Sequence, residues 1–138
     1  MQKWIPWLYL ALGLAQAAHS IEEVFTGLWR WMPIVSGQVH EHFAWVPILA
    51  ESPMTFIVGN MVIIAVVLAL SPLVFLNHTW AWFLATVIAV IETVNGLGHI
   101  SAALAIHGYF SGCITAIGLL LISLPIWGRR WLFRKGSG

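Results

Sequence analysis

Ala18-His19-Ser20-Ile21-Glu22-Glu23 lies midway along an apolar run that otherwise extends over residues 4–32. A second polar stretch, Glu92-Thr93-Val94-Asn95-Gly96-Leu97-Gly98-His99, lies late in another apolar run. Long runs of this kind read as membrane spans, and a charge at bilayer depth costs from ~2.5 to more than ~10 kcal/mol. Groups that persist there pair, bind an ion, line a wet cavity or stay neutral. The two stretches therefore read as parts of one functional site inside a membrane bundle.

Composition supports this frame. Of 138 residues, 60% are hydrophobic and 8% charged, and the mean hydropathy is +0.90. That excludes an ordinary soluble domain. At about 20 residues per span, the length holds about four spans in one integral membrane domain over residues 1–135. Gly136-Ser137-Gly138 reads as a cloning remnant. A lone cysteine, Cys113, excludes an intrachain disulfide framework. No basic–aromatic stripe suggests nucleic acid. Lys3, the apolar run and Ala15-Gln16-Ala17 imitate a cleaved secretory signal. Hydrophobicity resumes after the acids, so the first span is expected to be retained.

The expected fold is all-α: a four-transmembrane-helix bundle with a re-entrant or interfacial loop between the first two helices. The first span covers residues 4–32, with Pro6 in its first turn and Pro33 closing it. Residues 34–52 form the loop, bearing His40, Glu41, His42 and Glu51. The second span covers 53–70, with Ser71-Pro72 ending or kinking it. The third runs from 78 or 80 to 107 and the fourth from 109 to 127. Tryptophans cluster at span ends as an aromatic belt. Lys3 at one end and Arg129, Arg130, Arg134 and Lys135 at the other place both termini in the cytoplasm by the positive-inside rule.

Depth then aligns the polar sets. At about 1.5 Å per residue, His19 lies about 22 Å along the first span, and Glu22 and Glu23 about 27–29 Å. On the parallel third span Glu92 lies at about 18 Å, Asn95 at about 22 Å and His99 at about 28 Å. Each set occupies one face, an arc of about 100° and about 60° respectively. Asn60 of the descending second span falls near the same layer.

His19-Ser20-Ile21-Glu22-Glu23 spells H-x-x-E-E. Asn95-x-x-x-His99 follows, and then Gly108-Tyr109-Phe110-Ser111-Gly112-Cys113-Ile114-Thr115-Ala116 leads on to Leu124-Pro125. In this order the motifs resemble the HXXEE-domain family of small bacterial integral membrane proteins, over about residues 12–127. Members commonly read Y-S-P-G where this chain has Tyr109-Phe110-Ser111-Gly112, a departure at the turn into the last span. The resemblance implies a bacterial inner-membrane bundle in which His19, Glu22, Glu23, Asn95 and His99 matter, and it carries no particular reaction.

Residue types suggest three chemistries. In the first, a His and a carboxylate at helical spacing bind one ion, as in helix-bundle carboxylate–histidine metal proteins. His19, Glu22, Glu23, Glu92 and His99 are the expected ligands of one or two divalent ions, Fe, Mn or Zn. Glu51, His40 and His42 are candidate lid residues. Asn95 orients ligand or substrate and Glu23 moves the proton, in oxidation or hydrolysis of a hydrophobic substrate. In the second, metal-free acid–base groups isomerise or cyclise an isoprenoid or sterol-like lipid. In the third, the two histidines bind haem, or the polar core conducts protons or ions. The bland readings are explicit: His40, Glu41 and His42 as a solvated loop cluster, and His78 and His107 as helix-end residues. In the same vein, Arg30 is an interfacial residue or a partner for Glu23, and Gly96 and Gly98 are helix-packing positions. Small residues over 112–118 leave homo-oligomerisation open.

Overall fold

The computed structural model describes the backbone of residues 4–49 and 52–133, and side chains through residue 128. Among the described residues the chain is all-helical, without strands. It comprises α1 (Ile5–Thr26), a 3-10 turn (Leu28–Arg30), α2 (Met32–His42), α3 (Pro53–Phe75), α4 (Thr79–Ala105) and α5 (Cys113–Phe133). Lys3, Glu51, Arg134, Lys135 and the terminal Gly-Ser-Gly lie outside the described residues.

The first apolar run is not one helix. Gly27 adopts the left-handed conformation at φ 73° and closes α1, its N–H donating to the carbonyls of Glu23 and Val24. A glycine reaches this C-cap geometry without a Cβ penalty. Pro33, expected to end the first span, instead sits in the first turn of α2, where a missing N–H costs nothing. The expected loop is therefore helical over about its first half, to His42. The irregular part beyond it folds back on α2: the Leu49 N–H donates to Ser36 Oγ at 2.8 Å, and His40 Nδ1 lies 2.6 Å from the Val46 carbonyl.

Ser52 caps α3 by accepting from the Thr55 N–H at 3.1 Å, with Pro53 just inside. Ser71-Pro72 does not end this helix, which continues to Phe75. The expected third span corresponds to α4. The fourth starts later than expected, at Cys113, because residues 106–112 form a turn with positive φ at His107 (50°) and Gly112 (82°). Helices α3 and α4 are long and apolar enough to cross a membrane, and the apolar stretch Cys113–Gly128 of α5 is shorter.

α5 packs against both α4 and α1, and α1 also packs on α3. Ala81, Ala85 and Ala89 recur every fourth residue on α4 and are fully buried, letting neighbours approach closely. Higher up, Gly96 does the same: a Cβ there would lie 3.0 Å from Leu120 Cγ and 3.1 Å from the Ala116 carbonyl oxygen. Gly98, expected to share that role, faces open space. Tyr9, Leu12, Val67, Val74, Trp82 and Leu119 fill the core below the polar layer.

The surface is apolar, and a layer of polar side chains is buried beside the hydrophobic core. Val58, Met61, Ile63, Val66, Phe83, Val90, Ile91, Val94, Ile114 and Leu121 are exposed, whereas Gln16, His19, Ser20, Glu23, Asn60, Glu92, Thr93 and His99 are buried. So continuous an apolar surface marks a membrane or protein interface.

Candidate metal centre

Three residues from two helices converge on one point. His19 and Glu23 lie one turn apart on α1, hence on one face. His99 reaches the same point from α4. His19 Nε2 and His99 Nε2 are each 3.1 Å from Glu23 Oε1. One ligand atom from each residue lies within 4.8 Å of the others, and all three residues are buried. The imidazoles meet edge-on at 89°, centroids 4.7 Å apart. That spacing leaves no room for a porphyrin between them, so the arrangement does not serve a bis-histidine haem.

Each ring is held from behind. His99 Nδ1 lies on the Ser111 carbonyl oxygen, which only accepts, so this nitrogen carries the proton. His19 Nδ1 is 2.8 Å from Thr115 Oγ1. The Thr115 hydroxyl donates in turn to Glu22 Oε2 at 2.6 Å. Its oxygen is thereby left to accept from His19. In neutral rings both Nε2 lone pairs then face the Glu23 carboxylate, with the Asn95 amide nitrogen 3.3 Å from His19 Nε2. Three electron-rich atoms turned toward one another in a buried space are balanced by positive charge, either a proton on an imidazole or an ion that the three could hold.

Among the expected ligands, Glu22 stands apart. Consecutive helix residues point about 100° apart, and Glu22 turns toward the start of α5. It accepts from the Tyr109 hydroxyl (2.6 Å), the Ile114 N–H (3.3 Å) and the Thr115 N–H (2.9 Å), as well as from the Thr115 hydroxyl. It therefore caps a helix it does not belong to, satisfying N–H groups that have no intrahelical acceptor. In the turn outside the helices, partial burial and then the accepting Glu22 carboxylate push the Tyr109 phenol above its ordinary value.

Glu92 is buried and hydrogen-bonded to Asn95, one step removed from the cluster. Its Oε2 finds no partner among the described residues. His40 and His42 bond to backbone carbonyls of their own segment and do not join the centre. Arg30 lies over the Trp29 ring at 4.9 Å. The polar layer continues sideways through Gln16, whose amide donates to Ser20 Oγ, and Ser20, which donates to Asn60 Oδ1 at 2.7 Å.

Sequence reasoning did not find the contribution of the turn before α5. Ser111, Gly112 and Thr115 close the site. Gly112 sits so near the rings that a Cβ would lie 2.8 Å from His19 Cε1 and 2.9 Å from His99 Nδ1. The only signal was the Gly108–Thr115 stretch itself, quoted for its order and not for a role.

The fold and site together define an all-helical protein with apolar outer faces and a buried two-histidine, one-carboxylate centre. The family described as "Protein of unknown function with HXXEE motif" matches residues 10–127, and the chain belongs to that family. No curated protein and no solved structure matches it.

Proposed function

We propose that this protein is an integral membrane enzyme whose centre, His19, Glu23 and His99, holds a divalent metal. The observation that carries the reading is the pair of Nε2 atoms, each 3.1 Å from one Glu23 oxygen and each backed at Nδ1. Metal-binding histidines commonly donate their second N–H to a carbonyl or other acceptor, which fixes tautomer and aim. Tetrahedral zinc with bonds of about 2.0–2.1 Å sets its ligand atoms about 3.3 Å apart, close to the two 3.1 Å separations from Glu23 Oε1.

Three protein ligands with a position left open favour a catalytic over a structural ion. Two histidines and one carboxylate suit zinc, for hydrolysis, or iron, for oxidation, with manganese also compatible. Bound there, the ion would supply Lewis acidity or redox chemistry. Asn95 is placed to orient a ligand or substrate beside His19. Glu92, with its unpartnered oxygen, is placed to take a proton or a second ion.

The same reading makes the protein a four-span bundle of the bacterial inner membrane with both termini cytoplasmic, α1, α3, α4 and α5 being the spans. Supporting it are the apolar outer faces and the length of α1, 22 residues or about 33 Å. A site enclosed in such a bundle is reached most directly from the lipid phase, which favours a hydrophobic or amphipathic substrate.

The test is elemental analysis by mass spectrometry of detergent-purified protein, wild type beside His19→Ala and His99→Ala. About one equivalent of Zn, Fe or Mn, lost in both variants while the helical spectrum persists, is expected; about two equivalents would add Glu92 to the centre. Metal content unchanged in both variants refutes the ligand assignment. A well-folded preparation made without chelator that holds no metal would instead point to proton transfer on a lipid.

A further inference from the structure

The first glutamate of the motif, Glu22, has a task of its own. Glu22 touches neither imidazole, yet it receives the hydroxyl proton of the one residue that contacts His19 Nδ1. Thr115 Oγ1 is 2.6 Å from Glu22 Oε2 and 2.8 Å from His19 Nδ1. A hydroxyl has one proton and two lone pairs. A carboxylate can only accept, so the Thr115 proton goes to Glu22 and its lone pair goes to the ring. Glu22 is itself fixed by the Tyr109 hydroxyl and by the N–H groups of Ile114 and Thr115, so the direction of the relay is set by rigid neighbours.

We propose that Glu22 and Thr115 are positioning residues that hold His19 as its Nδ1–H tautomer and so leave Nε2, which the Asn95 amide nitrogen approaches at 3.3 Å, unprotonated for the ion. The motif then divides its labour. His19 and Glu23 bind, and Glu22 acts through Thr115 from the far side of the ring. The same contacts fasten the 108–112 turn over the centre, since Tyr109 and Thr115 flank Gly112 and both bond to Glu22. The inference rests on the reading of His19 as a metal ligand, but its tautomer claim is measurable without metal.

The experiment uses the full chain in detergent, labelled with ¹⁵N-histidine, as wild type, Thr115→Val, Thr115→Ser and Glu22→Gln. The His19 signals are assigned by their loss in His19→Asn. Ring ¹⁵N shifts report the tautomer in the metal-free protein, and chelator-competed zinc titration reports affinity. The wild type is expected to show His19 protonated at Nδ1. Thr115→Val should move the proton to Nε2, toward Glu23, and weaken zinc binding about 10- to 100-fold, the usual loss when such a backing partner is removed. Thr115→Ser, which restores the hydroxyl, should recover the tautomer and most of the affinity. Glu22→Gln should weaken zinc severalfold, with a mixed tautomer.

An unchanged tautomer and affinity in Thr115→Val overturns the proposal. So does a Thr115→Ser protein as impaired as Thr115→Val, which would make the effect one of packing. Wild-type behaviour in Glu22→Gln reduces Glu22 to a helix cap and overturns its part. If the wild type binds no zinc, the metal reading falls, while the tautomer comparison still decides the relay.

Discussion

Replacing Gly112 with alanine tests the architecture of the centre without touching a ligand. The new Cβ would lie 2.8 Å from His19 Cε1, 2.9 Å from His99 Nδ1 and 3.0 Å from His99 Cε1. Relaxed contacts between such atoms are about 3.5–4.0 Å, so rings or turn must yield by about 0.5–1 Å. His99 Nδ1 is also bonded to the Ser111 carbonyl, one residue away, so the turn cannot retreat without breaking that bond. Alanine at φ 82° adds about 1–2 kcal/mol of backbone strain, and overpacking adds about 1–3 kcal/mol. The expected loss is about 2–5 kcal/mol of stability, with displaced ligands and at least a tenfold fall in zinc affinity. The control is Gly98→Ala, beside His99 on α4, where a Cβ meets nothing within 4 Å. There the helix propensity of alanine should give a gain of up to about 1 kcal/mol. Thermal unfolding in detergent and chelator-competed zinc titration read both variants. A Gly112→Ala protein that melts and binds zinc as the wild type does would refute the close covering of the imidazoles by this turn.

Other expectations follow from the same packing. Gly96→Ala places a Cβ 3.1 Å from a backbone oxygen of α5; overpacking of about 1–3 kcal/mol outweighs the propensity gain of about 1, and the variant should melt below both wild type and Gly98→Ala. Asn60→Ala removes the acceptor of the Ser20 hydroxyl at 2.7 Å in a buried setting, and unfolding should report a loss of about 1–3 kcal/mol. A fluorescent protein fused to the C terminus should fluoresce and an alkaline phosphatase fused there should stay inactive; the reverse pattern would reject a cytoplasmic C terminus.

The meeting of His19, Glu23 and His99 was legible because helical period and rise alone determine it. His19 and Glu23 share a face, and His99 matches their height on a parallel helix. The break at Gly27 was hidden in the sequence, because the apolar run continues on either side of a single glycine. What sequence could not reveal was the role of Thr115. Its position depends on a turn whose path is set by positive φ at His107 and Gly112, and no periodicity extends through such a turn. The partners of Glu22 were hidden for the same reason: consecutive glutamates point about 100° apart, but the donors at the start of α5 that receive Glu22 depend on the path of that turn.

The two adjacent glutamates differ in the partners that the fold gives them. Neither has a Lys or Arg partner among the described residues. Glu22 manages without one because four donors converge on its oxygens: a phenol, a hydroxyl and two N–H groups at a helix start, where the dipole also favours a negative charge. These do what water would do outside the bundle. Glu23 has no such set. Its neighbours at 3.1 Å are two ring nitrogens, which in neutral rings protonated at Nδ1 present lone pairs to it. A buried carboxylate facing two lone pairs is unfavourable by itself. A proton on one of the rings relieves it, and so would the proposed cation between the three side chains. The contrast between neighbours one residue apart, one supplied with four donors by the start of α5 and one facing two imidazoles, is what the proposed metal at Glu23 would resolve.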